Sequence, residues 1–557
     1  MVRGRLRRLG NEGMKKRSAL FSQLVRRRGL TQEFLSPKYE DLSDPFLLSD
    51  MTQAVERILL AVERGEKVVV YGDYDVDGVT ASVVMKEALG FAGVKEVEIL
   101  LPDRFVDGYG MNEGAVKKIV TSGAGLVVTV DCGSGSGKVI SALKKKNVDC
   151  VVTDHHEILE MPEDAVAVVN PKREDYKVRP CNLAGVGVAF KVAQAVNMRM
   201  NGGVCNGQEK WLLDLVAIGT VCDSMVLTGE NRILTVFGMK VLGKTRRAGL
   251  IELIKLAGVQ KINTHAIGFQ IGPRLNASGR MQTATKSLRL MLADGQAGAF
   301  ALAKELEDLN KERRTAQDKA IGEIESAGIS EDPVLVARGD CHEGVVGIVA
   351  GRLTERYRRP SFVFAEVEGG LLKGSGRSFG EFALADCITH CQKILVTGGG
   401  HNFACGVTIA SSNYEQFKTA VNEYYRELGL KNQERFLMTK EDLVVEDLGE
   451  LTEDFLEELS LLEPYGEGNP EPVFKLCGVL VLSTKRMGAE GKHLRLDVRG
   501  KDGGIMKLIA FCAQDEWFAV EEGEKVDVLV GLEMNEWNGV RTVEGKILSV
   551  ERTDSIW

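Results

Sequence analysis

The stretch KVVVYGDYDVDG, residues 67–78, decides how the chain is read. Its apolar, β-branched opening over residues 67–71 predicts a buried strand, and a helix is predicted from Thr80. Between them stand Asp73, Asp75 and Asp77. Alternate spacing puts the three carboxylates on one side of an extended backbone, and Gly78 lets the chain turn. Three like charges so close repel one another unless cations sit among them, and hard oxygen ligands at a strand end suit Mg²⁺ or Mn²⁺. A calcium loop does not fit, because the twelfth position counted from Asp73 is Val84 rather than Glu. Helix capping accounts for one Asp but not for three.

Outward from this stretch, an amphipathic helix runs from about Val55 through Glu63. Downstream come a strand at 96–100, a helix around 115–122, a strand at Leu126–Val130, a helix over 139–147 and a strand at Asp149–Thr153. Such alternation predicts right-handed βαβ units and a parallel sheet, with ligands bound at the carboxyl ends of the strands. Asp131 follows one of these strands, Asp154-His155-His156-Glu157 follows the next, and Asp223 ends another apolar run. Carboxylates and imidazoles on one sheet edge are the ligand mix of a two-metal hydrolytic site, which activates water and clamps a phosphoryl group. The glycine-rich residues 133–138 fail as a phosphate loop: Cys132 takes the first glycine position, and Val139 stands where Ser or Thr would bind magnesium.

Helices dominate residues 185–243, and residues 297–326 carry apolar positions at helical spacing, a long helix joining two domains. A second, smaller α/β segment follows, with strands at 334–337 and 361–365, a helix at 346–356 and the glycine run 398–400. After a short helical stretch at 453–462 the period turns to two, in 473–482, 493–498, 505–510, 526–532 and 541–550, with one helical interruption near 514–520. Five strands and one helix predict a small barrel of the oligonucleotide-binding type. The expected fold is therefore α/β: a parallel-sheet domain (55–245), a helical connector (246–330), a smaller α/β domain (331–430) and an OB-type β-barrel (431–557), behind a basic N-terminal segment (1–54).

With 557 residues, 44% hydrophobic and 27% charged, the chain is an ordinary globular multidomain sequence, which excludes disordered and fibrous classes. No apolar stretch approaches the ~20 residues of a membrane helix and no leader opens the chain, so a soluble, unexported protein is expected. Eleven cysteines without a CxxC pair fit a reducing cytoplasm. The net charge of -8 argues against a surface that coats nucleic acid throughout, yet residues 1–30 hold ten Lys or Arg against one acid. That segment reads equally as a phosphate-binding arm and as a frayed basic terminus.

These residues resemble a known family. Asp154-His155-His156 after a strand, with GDYDVDG upstream, TVDCG between and VCD downstream, is similar to the DHH phosphoesterase superfamily. The blocks LPDRFVDGYGMN, GPRLNASGRM, HEGVVGIVAGRL, SGRS, GGGHNFACG and EPYGEGNPEPVF, in family order over about residues 40–557, narrow the resemblance to the RecJ single-strand-DNA exonucleases of bacteria.

The resemblance implies two Mn²⁺ or Mg²⁺ ions held by Asp75, Asp77, Asp131, His155 and Asp223, with Asp131 bridging and Asp73 in support. His156 would face the scissile phosphate, either as a donor to the developing charge or leaving oxygen, or as the group that orients the metal-bound water. The smaller domain would be the DHH-associated (DHHA1) domain, whose GGGH turn lets the backbone approach phosphate while His401 donates to it. Arg280, Arg377 and Ser378 would hold DNA phosphates. The barrel would grip the single strand, although its few aromatic residues, Phe511, Trp517, Phe518 and Trp537, read as core at least as well as stacking platforms. The implied activity is metal-dependent 5′-to-3′ hydrolysis of single-stranded DNA between the two lobes, the barrel completing a clamp. The implied role is DNA repair and recombination, with single-strand-binding protein and a helicase as partners.

The loop after Asp131, CGSGSGKV, is richer in Gly and Ser than the family pattern, Cys341 and Cys405 also depart from it, and the further C-terminal domain of some relatives is not expected. Two rivals remain. A phosphodiesterase of very short oligonucleotides or cyclic dinucleotides usually has His four residues before its Asp-x-Asp pair, where this chain has Tyr71, and needs no barrel. A replication scaffold that binds without cutting would have lost ligands that are all present here.

Overall fold

The computed structural model describes residues 17–108, 110–176, 182–430, 440–488, 490–537 and 539–553. The chain divides into two units: residues 39–437 form one, and residues 1–38 with 438–557 form the other.

The larger unit opens on a five-stranded sheet of β1 (Val68–Tyr71), β2 (Val97–Leu100), β3 (Leu126–Val130), β4 (Asp149–Thr153) and β5 (Ala167–Val169). The order is β2-β1-β3-β4-β5 and every pairing is parallel. β1 and β3 are buried along their whole length because helices cover both faces. Val68 and Val70 pack into one apolar cluster and Val69 and Tyr71 into another, the two-residue alternation of a strand sandwiched between layers. The chain leaves β1 for β2 on one side and returns to β3 on the other, so the loops after β1 and β3 flank the point where strand order reverses. β5, which periodicity did not pick out, is only three residues long and follows a charged loop.

The long joining helix runs over Gln296–Ser326, one residue longer than expected at its start, after shorter helices at Ala248–Leu256, Gly272–Met281 and Thr285–Met291. The smaller lobe is a sheet of β6 (Leu335–Gly339), β7 (Ser361–Val367), β8 (Leu371–Arg377), β9 (Leu395–Gly400) and β10 (Ala404–Ala410), ordered β6-β7-β8-β10-β9. Only β6–β7 is parallel. Here the structure corrects the sequence reading: Gly398–Gly400 form the end of a strand, not a turn. Glycine in this sheet marks close packing as well as bending. A Cβ at Gly374 would lie 2.5 Å from the Phe364 ring, and one at Gly376 2.7 Å from the Phe362 ring.

The second unit contains β11 (Leu443–Val445), β12 (Phe474–Met487), β13 (His493–Arg499), β14 (Ile505–Ala510), β15 (Lys525–Trp537) and β16 (Val540–Arg552). The order β12-β13-β14-β16-β15 closes by pairing β15 with β12, a five-stranded barrel with one parallel pair, β14–β16. Residues 515–519 supply the helical interruption. Trp517 and Phe518 pack against the barrel core, whereas Phe511 and Trp537 are 59% and 73% exposed.

From residue 17 onward the N-terminal segment is packed, neither a free arm nor a frayed end. Ala19–Arg27 form a helix whose Leu20, Phe21 and Leu24 enter the barrel cluster, and the Arg28 guanidinium makes two 2.7 Å hydrogen bonds to Asp442. Arg3, Arg5, Arg7, Arg8, Lys15 and Lys16 lie outside the described residues.

Candidate metal centre

The acids gather at the β1/β3 reversal, though not by simple alternation along an extended backbone. Asp73 sits in the loop after β1. Asp75 is the N-cap of the helix Val76–Ala92, its Oδ1 accepting from the Gly78 N–H at 3.0 Å, and Asp77 lies in the first helical turn. The chain therefore bends between the acids and sends them to two sides of one centre. Gly78 is required for that bend, because a Cβ there would lie 2.6 Å from both the backbone N and O of Asp73.

Three groups of ligand atoms converge within 4.8 Å: Asp73, Asp75 and Asp131; Asp77, His155 and Asp223; and Asp131, His155 and His156. Asp131 belongs to two of them. It follows β3 with φ +58°, a left-handed conformation that costs a non-glycine residue about 1 kcal/mol or more and that recurs at functional sites. Its Oδ1 and the Oδ1 of Asp73 are buried with no hydrogen-bond partner. His155 Nε2 lies 3.1 Å from that Asp131 oxygen, 3.7 Å from Asp223 and 3.8 Å from Asp77.

The 3.1 Å approach is not a hydrogen bond, since the oxygen has no partner of suitable geometry. Burial, then the charge of His156, pushes the His155 ring down to about 3, so at neutral pH it is uncharged. A nitrogen and an oxygen about 3 Å apart with no hydrogen bond between them are close enough for one cation to take both as ligands. Burial, and then neighbouring carboxylates, also raise the acids: Asp73 to about 8, Asp223 to about 7, and Asp77 and Asp131 well above the ordinary range. Orphaned oxygens, mutual repulsion and a neutral imidazole fit a divalent cation site in this donor set.

The helix Gly185–Met200 closes the centre from the other side. Its first two N–H groups donate to Asp77, Gly185 to Oδ2 at 2.6 Å and Val186 to Oδ1 at 2.9 Å. A Cβ on Gly185 would meet Asp131 Cβ at 2.5 Å and its Oδ1 at 2.7 Å, so only glycine allows this approach. His156 is half-buried, with Nδ1 2.8 Å from Asp154 Oδ1. Burial favours the protonated form of Asp154, but the hydrogen bond and charge of His156, together with the N–H groups of Ser134 and His156, outweigh it and hold this acid far below the carboxylate range. A carboxylate only accepts, so Nδ1 is the donor in that pair. Burial lowers His156, yet the bond to Asp154 and the charges of Asp154, Asp223 and Asp73 together leave it raised overall.

Beside the acids lies a cationic face. Arg280 ends the helix Gly272–Met281, with its Nη1 3.4 Å from the Gly344 carbonyl. Burial, followed by the charges of Arg104, Arg313 and Arg377, brings its guanidinium down to about 9. Arg377, at the end of β8, donates to Ser375 Oγ and the Gly376 carbonyl, both at 2.8 Å. Neither arginine forms an ion pair with a described carboxylate. The Ser378 hydroxyl donates to the Phe382 carbonyl and its N–H to the Phe403 carbonyl, which leaves the hydroxyl oxygen to accept. His401 is exposed beyond β9, its N–H bonded to Ala404, the residue paired with Arg377, so both stand at one sheet end.

Arg104, from the loop after β2, was missed as a functional residue although its block was recognised. It stacks 4.4 Å from the Tyr74 ring centroid and couples to both Arg280 and Arg377. A lone Arg in a loop carries no periodic signal, and only the three-dimensional neighbourhood gives it meaning.

A parallel sheet with acids and imidazoles at its reversal point defines a DHH-type metal-dependent phosphoesterase. Residues 67–220 match the DHH family N-terminal domain, 331–427 the DHHA1 domain and 444–549 the RecJ OB domain. Over its length the chain is 32% identical to the single-stranded-DNA-specific exonuclease RecJ of Dickeya dadantii, covering 94% of this chain and 95% of that one. It is 34% identical to the Bacillus subtilis RecJ, covering 93% of this chain and 66% of that longer one. The crystal structure of RecJ with Mn²⁺ from Thermus thermophilus superposes with a TM-score of 0.82 at 29% identity, over 96% of this chain and 76% of that one. The chain belongs to the RecJ family of single-stranded-DNA-specific exonucleases. No helix among the described residues is long and apolar enough to cross a membrane.

Proposed function

We propose that the chain is a metal-dependent exonuclease that hydrolyses the phosphodiester bonds of single-stranded DNA from the 5′ end. The observation that carries this reading is the buried Asp131 oxygen, unpaired and 3.1 Å from a neutral imidazole, in a residue shared by two ligand groups. Asp75, Asp77, Asp131, His155 and Asp223 would hold two ions, Mn²⁺ or Mg²⁺, with Asp73 in support. Bound there, such ions would supply Lewis acidity toward the phosphoryl oxygens and lower the pKa of water.

The protein's own part is positioning. His156, anchored through Nδ1 to an anionic Asp154, presents Nε2 as the nitrogen able to turn to the phosphate, and its pKa, shifted upward from the ordinary imidazole value, favours the protonated ring that donates to developing charge. Arg280 and Arg377, with Arg104 beside them, hold the substrate's phosphates, with Ser378 and His401 at the same sheet end. Arg is suited to this task because its planar fork meets two phosphate oxygens at once. Exposed Phe511 and Trp537 offer the barrel's stacking surfaces. The 5′ polarity, the cytoplasmic role in repair and recombination, and partnership with single-strand-binding protein and a helicase follow from the family resemblance.

The test is digestion of a single-stranded oligonucleotide labelled separately at each end, with Mn²⁺, with Mg²⁺ and with chelator. Mononucleotides released from the 5′ end only with metal support the reading. Binding without cleavage would favour a scaffold, and cleavage limited to very short oligonucleotides would favour a small-substrate phosphodiesterase.

A further inference from the structure

The loop that carries His155 and His156 has little backbone support of its own. The ladder of β4 ends where the Asp154 N–H meets the Val169 carbonyl at 3.1 Å. Beyond it, the N–H groups of His155 and His156 both turn back onto Asp154 Oδ1, at 2.7 and 3.1 Å. Asp154 is itself steadied through its other oxygen, which accepts from the Ser134 N–H at 2.9 Å. Ser134 belongs to the Gly/Ser-rich loop after Asp131 that departs from the family pattern.

Asn170, at the end of β5, closes this arrangement. It is fully buried, and its amide nitrogen donates to Ser134 Oγ and to the His156 carbonyl, both at 2.9 Å. Its own oxygen accepts from the Lys172 N–H at 2.8 Å, which fixes the amide's orientation. The loops after β3, β4 and β5 are thus tied through one side chain, and two of its three bonds go to the supports of His156. The loop after β3 is tied to its strand by the Thr129 hydroxyl, which donates to the Cys132 carbonyl at 2.8 Å, and the turn requires glycine at 133, with φ +114° and a Cβ there 2.5 Å from Thr129 Oγ1. A buried asparagine needs partners wherever it sits. Its partners here are the backbone of His156 itself and the serine that holds His156's carboxylate.

We infer that Asn170, acting with Ser134, is a positioning residue for His156: it sets the plane and reach of the imidazole toward the scissile phosphate and touches neither substrate nor metal. This rests on the proposed role of His156. Supports one bond removed from a working imidazole typically carry 10- to 100-fold in activity. Loss of Asn170 therefore lowers kcat by that factor, with KM and Mn²⁺ affinity within twofold of wild type.

The test is a double-mutant cycle on the full chain with Mn²⁺ and an end-labelled single-stranded oligonucleotide. Asn170→Ala is expected to reduce kcat 10- to 100-fold alone but less than twofold in the His156→Ala background. Equal losses in both backgrounds, or an unchanged kcat for Asn170→Ala, would overturn the proposal. Should Asn170→Ala fail to fold, Ser134→Ala keeps the bond from Asn170 to the His156 carbonyl, and the same non-additivity is expected at a smaller loss.

A second readout does not depend on activity. In protein with ¹⁵N-labelled histidine, the His156 Nδ1 proton is identified by its absence in His156→Ala. Asn170→Ala should shift or abolish that resonance in protein that is still folded, its melting temperature lowered by the buried groups left unpaired, and an unmoved resonance would overturn the positioning role even if the wild type proved inactive on DNA. An inactive wild type with a shifted resonance would refute the nuclease reading alone.

Discussion

Gly185→Ala is a perturbation that removes no ligand and adds one methyl group. Gly185 begins a helix with no unusual backbone angle, so alanine is favoured there by up to about 1 kcal/mol on propensity alone. The added carbon would, however, lie 2.5 Å from Asp131 Cβ, 2.7 Å from its Oδ1 and 2.8 Å from its Cγ. Ordinary contact begins near ~3.5 Å, so Asp131 must retreat by roughly 1 Å. That carboxylate already sits on a left-handed backbone between β3 and Gly133, with little freedom to absorb the push. A displacement of about 1 Å at a reacting centre costs on the order of 100-fold in rate. The expected result is a loss of about 100-fold in Mn²⁺-dependent nucleotide release, with a weaker rise in melting temperature on adding Mn²⁺. The control is Gly90→Ala, on the exposed side of the helix Val76–Ala92, where a Cβ meets nothing within 4 Å. If Gly185→Ala cleaves and binds Mn²⁺ within twofold of wild type, the argument that Asp131 is wedged in place is wrong.

Asp131→Ala should abolish metal-dependent cleavage and leave the metal-free melting temperature unchanged or raised, because it deletes a buried acid held against its neighbours' repulsion; a collapsed fold would count against that reading. Asp73 and Asp223 are raised to about 8 and about 7 against an unfolded value near ~3.9, so the metal-free folded protein binds more protons than the unfolded chain. Its stability should therefore fall as pH rises from 5.5 to 7.5, by up to about 1.4 kcal/mol per pH unit for each group still protonated, and Mn²⁺ should flatten the slope. Denaturant midpoints with chelator and with Mn²⁺ at the two pH values check this, and a flat metal-free profile would contradict it. Arg280→Ala should raise KM more than it lowers kcat and reduce the salt dependence of DNA binding by about one phosphate contact; an unaltered salt slope would remove Arg280 from the phosphate face. Phe21→Ala, at 0% exposure in the barrel cluster, should destabilise the unit formed by residues 1–38 and 438–557 by about 3–5 kcal/mol; a change below 1 kcal/mol would mean the N-terminal helix is not part of that core.

What was legible in the sequence is what periodicity and strand ends encode. β1, β3 and β4 are continuous apolar runs because both faces of a parallel sheet are covered, and the acids after them could be assigned to one edge before any coordinates. What escaped was set by approach rather than by pattern. The turn that the resemblance implies at Gly398–Gly400 is the end of a strand, and the charge of the N-terminal segment hides that Leu20, Phe21 and Leu24 pack into the barrel cluster. Arg104 and Asn170 carry no spacing signal, since their meaning lies in partners distant in sequence: Tyr74, Arg280 and Arg377 for the one, Ser134 and His156 for the other.

The convergence of the acids also bears on stability. Asp73, Asp77, Asp131 and Asp223 all have raised pKa values for the same primary cause, burial beside one another, and they gain little from the protein in return: Asp77 has two helix N–H groups, while Asp73 and Asp131 each keep an oxygen with no partner. A fold rarely keeps such groups without compensation, since each buried, unpaired charge costs several kcal/mol. Divalent cations reverse the balance, turning mutual repulsion into shared coordination. The glycines at 78 and 185, the left-handed Asp131 and the N–H pair on Asp77 then belong to one design, in which the helices are drawn close enough to bury Asp73, Asp77 and Asp131 beside the partly exposed Asp75 and Asp223. On this view metal binding and the last increment of folding in the first lobe are a single event, so substitutions that loosen the helix Gly185–Met200 should weaken Mn²⁺ binding before they lower the metal-free melting temperature.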